Sequence, residues 1–340
     1  MQVRLTDLIA RVPESVEERV KKTRDQMRSV VQDALRSECR LMFRTPQETL
    51  SKRAGAQVPI EISPGYPARL AQVEFDDSYR LALLLSKYRA HLEQMKAGAN
   101  GLKRLPGELR ELNPSEAPGR EGAEWLSSVA HWAEQLLEIL NNSDPLKRVL
   151  EVEEDILGVY KCWPDPLGED EWSVNRASIC IHWAVVGLVA EWMGCEVEDL
   201  TLIVLTHELA HAYTQLGADI EDRRWPASRF DQAETGLKEG LAQYYTQRVL
   251  ERLEERHPRA IEVFHAMSGK QPEVYQVHIP WIENRSPESV RRAMLEVRRW
   301  QEGRLERFER WLEEAHADLH PEHLGSSQLE LISTHRHRDK

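Results

Sequence analysis

The chain has 340 residues, of which 41% are hydrophobic and 30% charged, with a formal net charge of −12; this composition predicts a soluble globular protein of one large or two ordinary domains. The acidic balance argues against general nucleic-acid binding, which needs a basic footprint, and the longest apolar stretches, around 179–190 and 200–205, are too short or too interrupted to span a membrane. Residues 1–13 scatter Arg4, Asp7 and Arg11 among apolar residues instead of forming the apolar core of a secretory signal, and Cys39, Cys162, Cys180 and Cys195 form no CxxC pair, so the expected setting is a reducing cytoplasm with free thiols.

Residues 14–43 place Val20, Met27, Val30, Val31, Ala34, Leu35 and Leu41 at helical spacing among Lys and Arg, which predicts an amphipathic helix. Thr45-Pro46-Gln47-Glu48 then has the form of a cap for a short further helix. Pro59, Pro64, Gly65 and Pro67 make 54–69 a loop or an edge strand. Helical spacing returns over 75–95 with Leu81, Leu84, Leu85, Tyr88 and Leu92. Residues 97–122, rich in Gly, Pro, Asn and charge, read as a mobile linker. A further amphipathic helix is expected over 125–140, stopped by Asn141-Asn142-Ser143-Asp144-Pro145. Residues 1–145 thus form a helical region suited to capping or recognition.

The texture changes in 146–285. Residues 156–162 and 178–183 have strand character, with a Pro/Gly/Asp-rich stretch between them. A helix over 184–193 leads through Gly194 into an apolar body, Leu200, Ile203, Val204 and Leu205, that runs into Thr206-His207-Glu208-Leu209-Ala210-His211. Histidines four residues apart on a helix share a face and can share one metal ion. Glu208, beside the remaining coordination position, is placed to take a proton from a water held there. Burying two imidazoles and a carboxylate on an apolar helix costs several kcal/mol unless they are paired or bound to metal, so the bland reading, a hydrogen-bonded buried helix, is the weaker one.

A catalytic zinc needs a third protein ligand. Thr214 and Gly217 stand where the metzincin continuation has its glycine and third histidine, which closes that route. Downstream, Glu239-Gly240-Leu241-Ala242 opens a second helix, and with the first motif it resembles the gluzincins, the zinc peptidases that include thermolysin and the zinc aminopeptidases. The resemblance spans about residues 150–285. It implies Glu239 as third ligand to one Zn2+, with Gly240 letting the two helices approach closely, and a zincin-like core in which a small antiparallel sheet precedes the metal helix. Glu234, Asp219, Asp222 and Asp231 are the rival ligands, with a helix-start or loop role as the alternative for each. The carboxylate that the family often carries one turn after the third ligand is Gln243 here. Gluzincins also supply a Tyr or His donor for the oxyanion, and Tyr275 or His278, expected in a loop or strand, fits that role. His182 reads as a packed or surface histidine.

Ser286 and Pro287 begin a long C-terminal helix over 286–325, packed on the rest or forming a homodimer interface; 326–340 reads as a disordered tail. The fold expected is mainly helical α+β with a zincin-like core and extra N- and C-terminal helices. The function expected is a zinc metallopeptidase, an endopeptidase or specific processing protease acting on a protein or peptide, which an edge strand would bind by strand addition. Nucleic acid and membrane are not expected partners. The rival is a regulatory or peptide-binding scaffold with a structural metal closed by a fourth ligand such as His182 or His278.

Overall fold

Apolar spacing carries through into helix over most of the chain, and the computed structural model describes residues 3–43, 58–102, 120–152, 156–163 and 177–319. The helix expected after Thr45, most of the 97–122 linker, the loop after Trp163 and the 326–340 tail lie outside these residues.

The first long helix, Ser15–Cys39, buries Val16, Val20, Val31, Ala34, Leu35 and Cys39 and stops at Arg40, where φ is 54°. It ends before residue 43 because the following backbone is taken up elsewhere. Met42 and Ala218 exchange hydrogen bonds of 3.0 and 2.7 Å, so the chain leaving this helix is pinned to the chain leaving the His-Glu motif helix.

The strands form two small sheets. β1 (Val3–Arg4) pairs antiparallel with β3 (Glu74–Phe75), while β2 (Ile60–Ser63), β4 (Gly158–Cys162) and β5 (Ala177–His182) form a three-stranded sheet in the order β2-β5-β4. This sheet is mixed, not antiparallel as expected. β4 runs antiparallel to β5, from Gly158 opposite Ile181 to Cys162 opposite Ala177, but β2 runs parallel to it, from Ile60 opposite Ile179 to Ser63 opposite His182. A parallel neighbour requires a long crossover. Here the connection includes Arg89–Leu102 and Arg120–Asn142, which pack on each other around Ala82, Leu92, Leu137 and Leu140. The first of these helices continues through Leu102, so 97–102 is helix and not linker.

At the centre lies the motif helix, Val197–Leu216, with every residue from Leu200 to Leu216 buried. A helix that is covered all round belongs in the middle of a core. Ser15–Cys39 and the glutamate-bearing helix Thr235–Leu253 both pack against it. Near its start, Arg19 Nε donates to Glu198 Oε1 at 2.8 Å.

The expected single C-terminal helix is two, Pro287–Trp300 and Leu305–Leu319. The break falls at Gln301, φ 53°, because Glu234 claims the next segment: its N–H donates to Gly303 O at 2.8 Å and its Oε2 accepts from Leu305 N at 2.9 Å. The apolar residues Val290, Met294, Val297, Phe308 and Leu312 are buried within this chain, in one continuous core that reaches back to Leu5. Among the described residues, no helix is long and apolar enough to cross a membrane.

Candidate metal centre

The motif helix presents His207 and His211 on one face, and Thr235–Leu253 brings Glu239 opposite them. His207 Nε2 and His211 Nε2 are 3.2 Å apart, and Glu239 Oε2 is 3.2 Å from the first and 3.4 Å from the second. Ligands held about 2.0–2.1 Å from a tetrahedral zinc stand about 3.3 Å from one another, so the three donors already have the separations of one face of such a site. All three residues are buried, at 9%, 3% and 6% exposure. Two ring nitrogens and a carboxylate oxygen converging this closely away from water require a proton or a cation among them. Burial by itself would push the Glu239 carboxyl up, but the facing histidines outweigh it and hold the group below the ordinary carboxylate range. The donor set therefore fits a metal ion.

Among the described residues this group has three members. Glu234 is not one of them; it caps the helix that begins at Leu305. Asp219 is occupied by its own turn, accepting from the N–H groups of Glu221 and Arg223 at 2.9 and 2.8 Å, and Asp222 pairs with Arg224. Asp231 lines a polar recess beside His211 and Glu239 with Cys162 and Lys238 but does not join the cluster. His182, 8% exposed at the end of β5, is a packed histidine whose imidazole burial pushes down. Cys39 is a core residue with its thiol on Leu35 O at 2.9 Å.

Glu208 is 2% exposed and faces the other side of the cluster. It lines a recess, partly open to solvent, together with His207, Gly158, Gln243 and Tyr275. Gly158 is the closest approach: a Cβ there would fall 2.8 Å from Glu208 Oε1 and 2.8 Å from Val204 Cγ1. A glycine within a stretch of strand character, Ile156 to Cys162, signals such an approach, and this signal was present in the sequence. Tyr160, on the same strand, lies 6.3 Å from the His211 ring and 13° from parallel with it. Its hydroxyl donates to Gln215 Oε1, and Gln215 Nε2 donates to Trp225 O at 3.0 Å. These supports behind His211 carry no motif and were not legible beforehand.

Tyr275 lines this recess from a 3₁₀ turn, Glu273–Tyr275, and His278 follows three residues later at the start of the helix Ile279–Asn284, where a loop or strand was expected. Gly240 explains their placement and corrects its expected role. It faces this segment rather than the motif helix: a Cβ on it would meet Val277 at 2.5 Å and Trp281 at 2.6 Å. His278 is 1% exposed and its Nδ1 lies 3.0 Å from Tyr275 O. A carbonyl only accepts, so Nδ1 carries the proton. Desolvation pushes this imidazole down to about 4, with His207 adding to the effect; it is neutral near pH 7, and its Nε2 is then an acceptor. Tyr213, Tyr244 and Tyr245 pack in the core, the first donating to Gln32 O at 3.1 Å.

Compared with protein-family models, curated proteins and solved structures, the chain has no match.

Proposed function

We propose that this protein is a zinc-dependent peptidase of gluzincin type, in which His207, His211 and Glu239 hold one zinc ion and Glu208 is the general base. The observation that carries the reading is the set of three buried donors at 3.2–3.4 Å with a buried carboxylate one residue from the first. His₂Glu is a donor set suited to zinc, and the ion, when bound, supplies Lewis acidity at the scissile carbonyl. Glu208 takes a proton from the attacking water and returns it to the leaving amine nitrogen. Tyr275 is the better oxyanion donor of the two candidates, since the neutral His278 presents a lone pair at Nε2. His278 instead holds the Tyr275 backbone through Nδ1–H. Residues of β4 line both recesses beside the cluster, and its edge, unpaired among the described residues, supplies backbone partners for an extended peptide.

The scaffold reading with a closed structural site requires a fourth protein ligand, and neither His182 nor His278 belongs to the cluster. The four cysteines are free thiols, which supports a reducing, cytoplasmic setting. Glu208→Gln should keep fold and zinc content while lowering peptide hydrolysis by 10²–10⁴-fold, roughly the contribution of a general base. Proteome-derived peptides digested by wild type and variant give the comparison; equal cleavage by the two would remove the enzyme assignment.

A further inference from the structure

Gln243 lies one helical turn after Glu239, is 2% exposed and lines the recess beside Glu208. Its Nε2 donates to Gln271 Oε1 at 3.2 Å, while its Oε1 is buried and has no hydrogen-bond partner among the described residues. Buried carbonyl oxygens are nearly always satisfied, and one left open beside a reactive cluster marks a position that a ligand completes. The wall around it is apolar, made by Leu150, Ile156, Leu157, Ile203, Val204 and Met267. Among the described lining residues Glu208 is the one carboxylate, and none is Lys or Arg.

These surroundings select a side chain by exclusion. An acidic group would lose its hydration beside Glu208 and gain no cation. A purely aliphatic or phenyl group would fill the recess but leave Gln243 Oε1 dry. A neutral side chain with an apolar body and an N–H or O–H on it satisfies both the wall and the oxygen. We infer that this recess is the specificity pocket of the peptidase proposed above, that it takes a neutral, donor-bearing side chain such as tyrosine, tryptophan or glutamine, and that Gln243 Oε1 is the atom that recognises the donor. The inference rests on the peptidase reading. Gln243 departs here from the carboxylate of the gluzincin pattern: it donates to Gln271 and lines the recess.

The test is digestion of a proteome-derived peptide library by the zinc-loaded full chain as wild type, Gln243→Leu and Gln243→Glu, with thermal midpoint and zinc content measured on each. A site that hydrogen-bonds a substrate hydroxyl rejects the analogue lacking it, so wild type should prefer Tyr over Phe by at least about tenfold in kcat/KM on matched peptides. Gln243→Leu should reverse that order toward Phe and Leu. Gln243→Glu, nearly isosteric, should admit Lys at the same position and keeps the test open if the leucine variant fails to fold. A wild type that cuts peptides without this preference, or a preference unchanged in a folded variant, overturns the assignment of Gln243 and leaves the peptidase reading standing. Absence of any Glu208-dependent cleavage overturns both.

Discussion

Burial decides what each histidine near the centre can do. His207 and His211 meet a carboxylate and each other; His278 meets a carbonyl, and desolvation pushes it down to about 4. In the unfolded chain a histidine titrates near 6.5. Between about pH 6.5 and 4 the unfolded state therefore binds more protons than the folded one, and stability falls as the pH drops through that window. The full effect is about 3 kcal/mol. Denaturant unfolding of metal-free protein at pH 6.5 and 4.5 should show a larger loss for wild type than for His278→Gln; equal losses would mean that His278 is not held neutral. At this scale the sequence was informative where chemistry is local. Histidines at i and i+4 and the Glu-Gly-Leu-Ala match led to three residues that do meet. Glu234 could not be told from Glu239 by type, and what separates them is a distant partner, the Leu305 N–H that Glu234 accepts.

Among the elements, β4 sets the geometry of the centre more than its five residues suggest. Among the described residues it is an edge strand, its Tyr160 flanks His211, and its Gly158 leaves room for the Glu208 carboxylate. Gly158→Ala would place a methyl 2.8 Å from Glu208 Oε1. The glutamate end is flexible and can yield, so the expected stability cost is about 1–2 kcal/mol from crowding against Val204. Displacing the base should lower kcat by tenfold or more, with zinc content kept. Unchanged kcat in Gly158→Ala would show that Glu208 does not depend on this strand. Helices were legible because their period is written in contiguous residues. Residues 54–69 were expected as a loop or an edge strand, and β2, within them, is an edge strand among the described residues, but its parallel pairing was not legible, since it joins β5 across more than a hundred residues and leaves no local pattern. The break at Gln301 was missed for a similar reason: the apolar period runs through it, and the interruption comes from contact with Ala233 and Glu234.

Over the whole molecule, the regions flanking the centre are part of its construction. The N-terminal helix covers the motif helix, and the C-terminal pair holds the loop that follows it. Arg298, 2% exposed on Pro287–Trp300, donates to Gly217 O and, at 2.6 Å, to Arg223 O. Desolvation pushes its guanidinium down to about 10, which leaves it charged at neutral pH. Arg298→Met would leave the buried Gly217 carbonyl without this donor and take one of two donors from the part-buried Arg223 carbonyl, and should destabilise the protein by about 1–3 kcal/mol in urea unfolding. A loss under about 0.5 kcal/mol, the range of ordinary surface changes, would place the fixing of that loop elsewhere.

The proposed function stands on one zinc ion held by His207, His211 and Glu239. Its most direct test is the zinc content per folded chain, measured by elemental mass spectrometry on wild type and Glu239→Ala purified identically. Close to one zinc per wild-type chain is expected, and a small fraction of that in the variant. Equal zinc in both, or none in wild type after incubation with the metal, would contradict it.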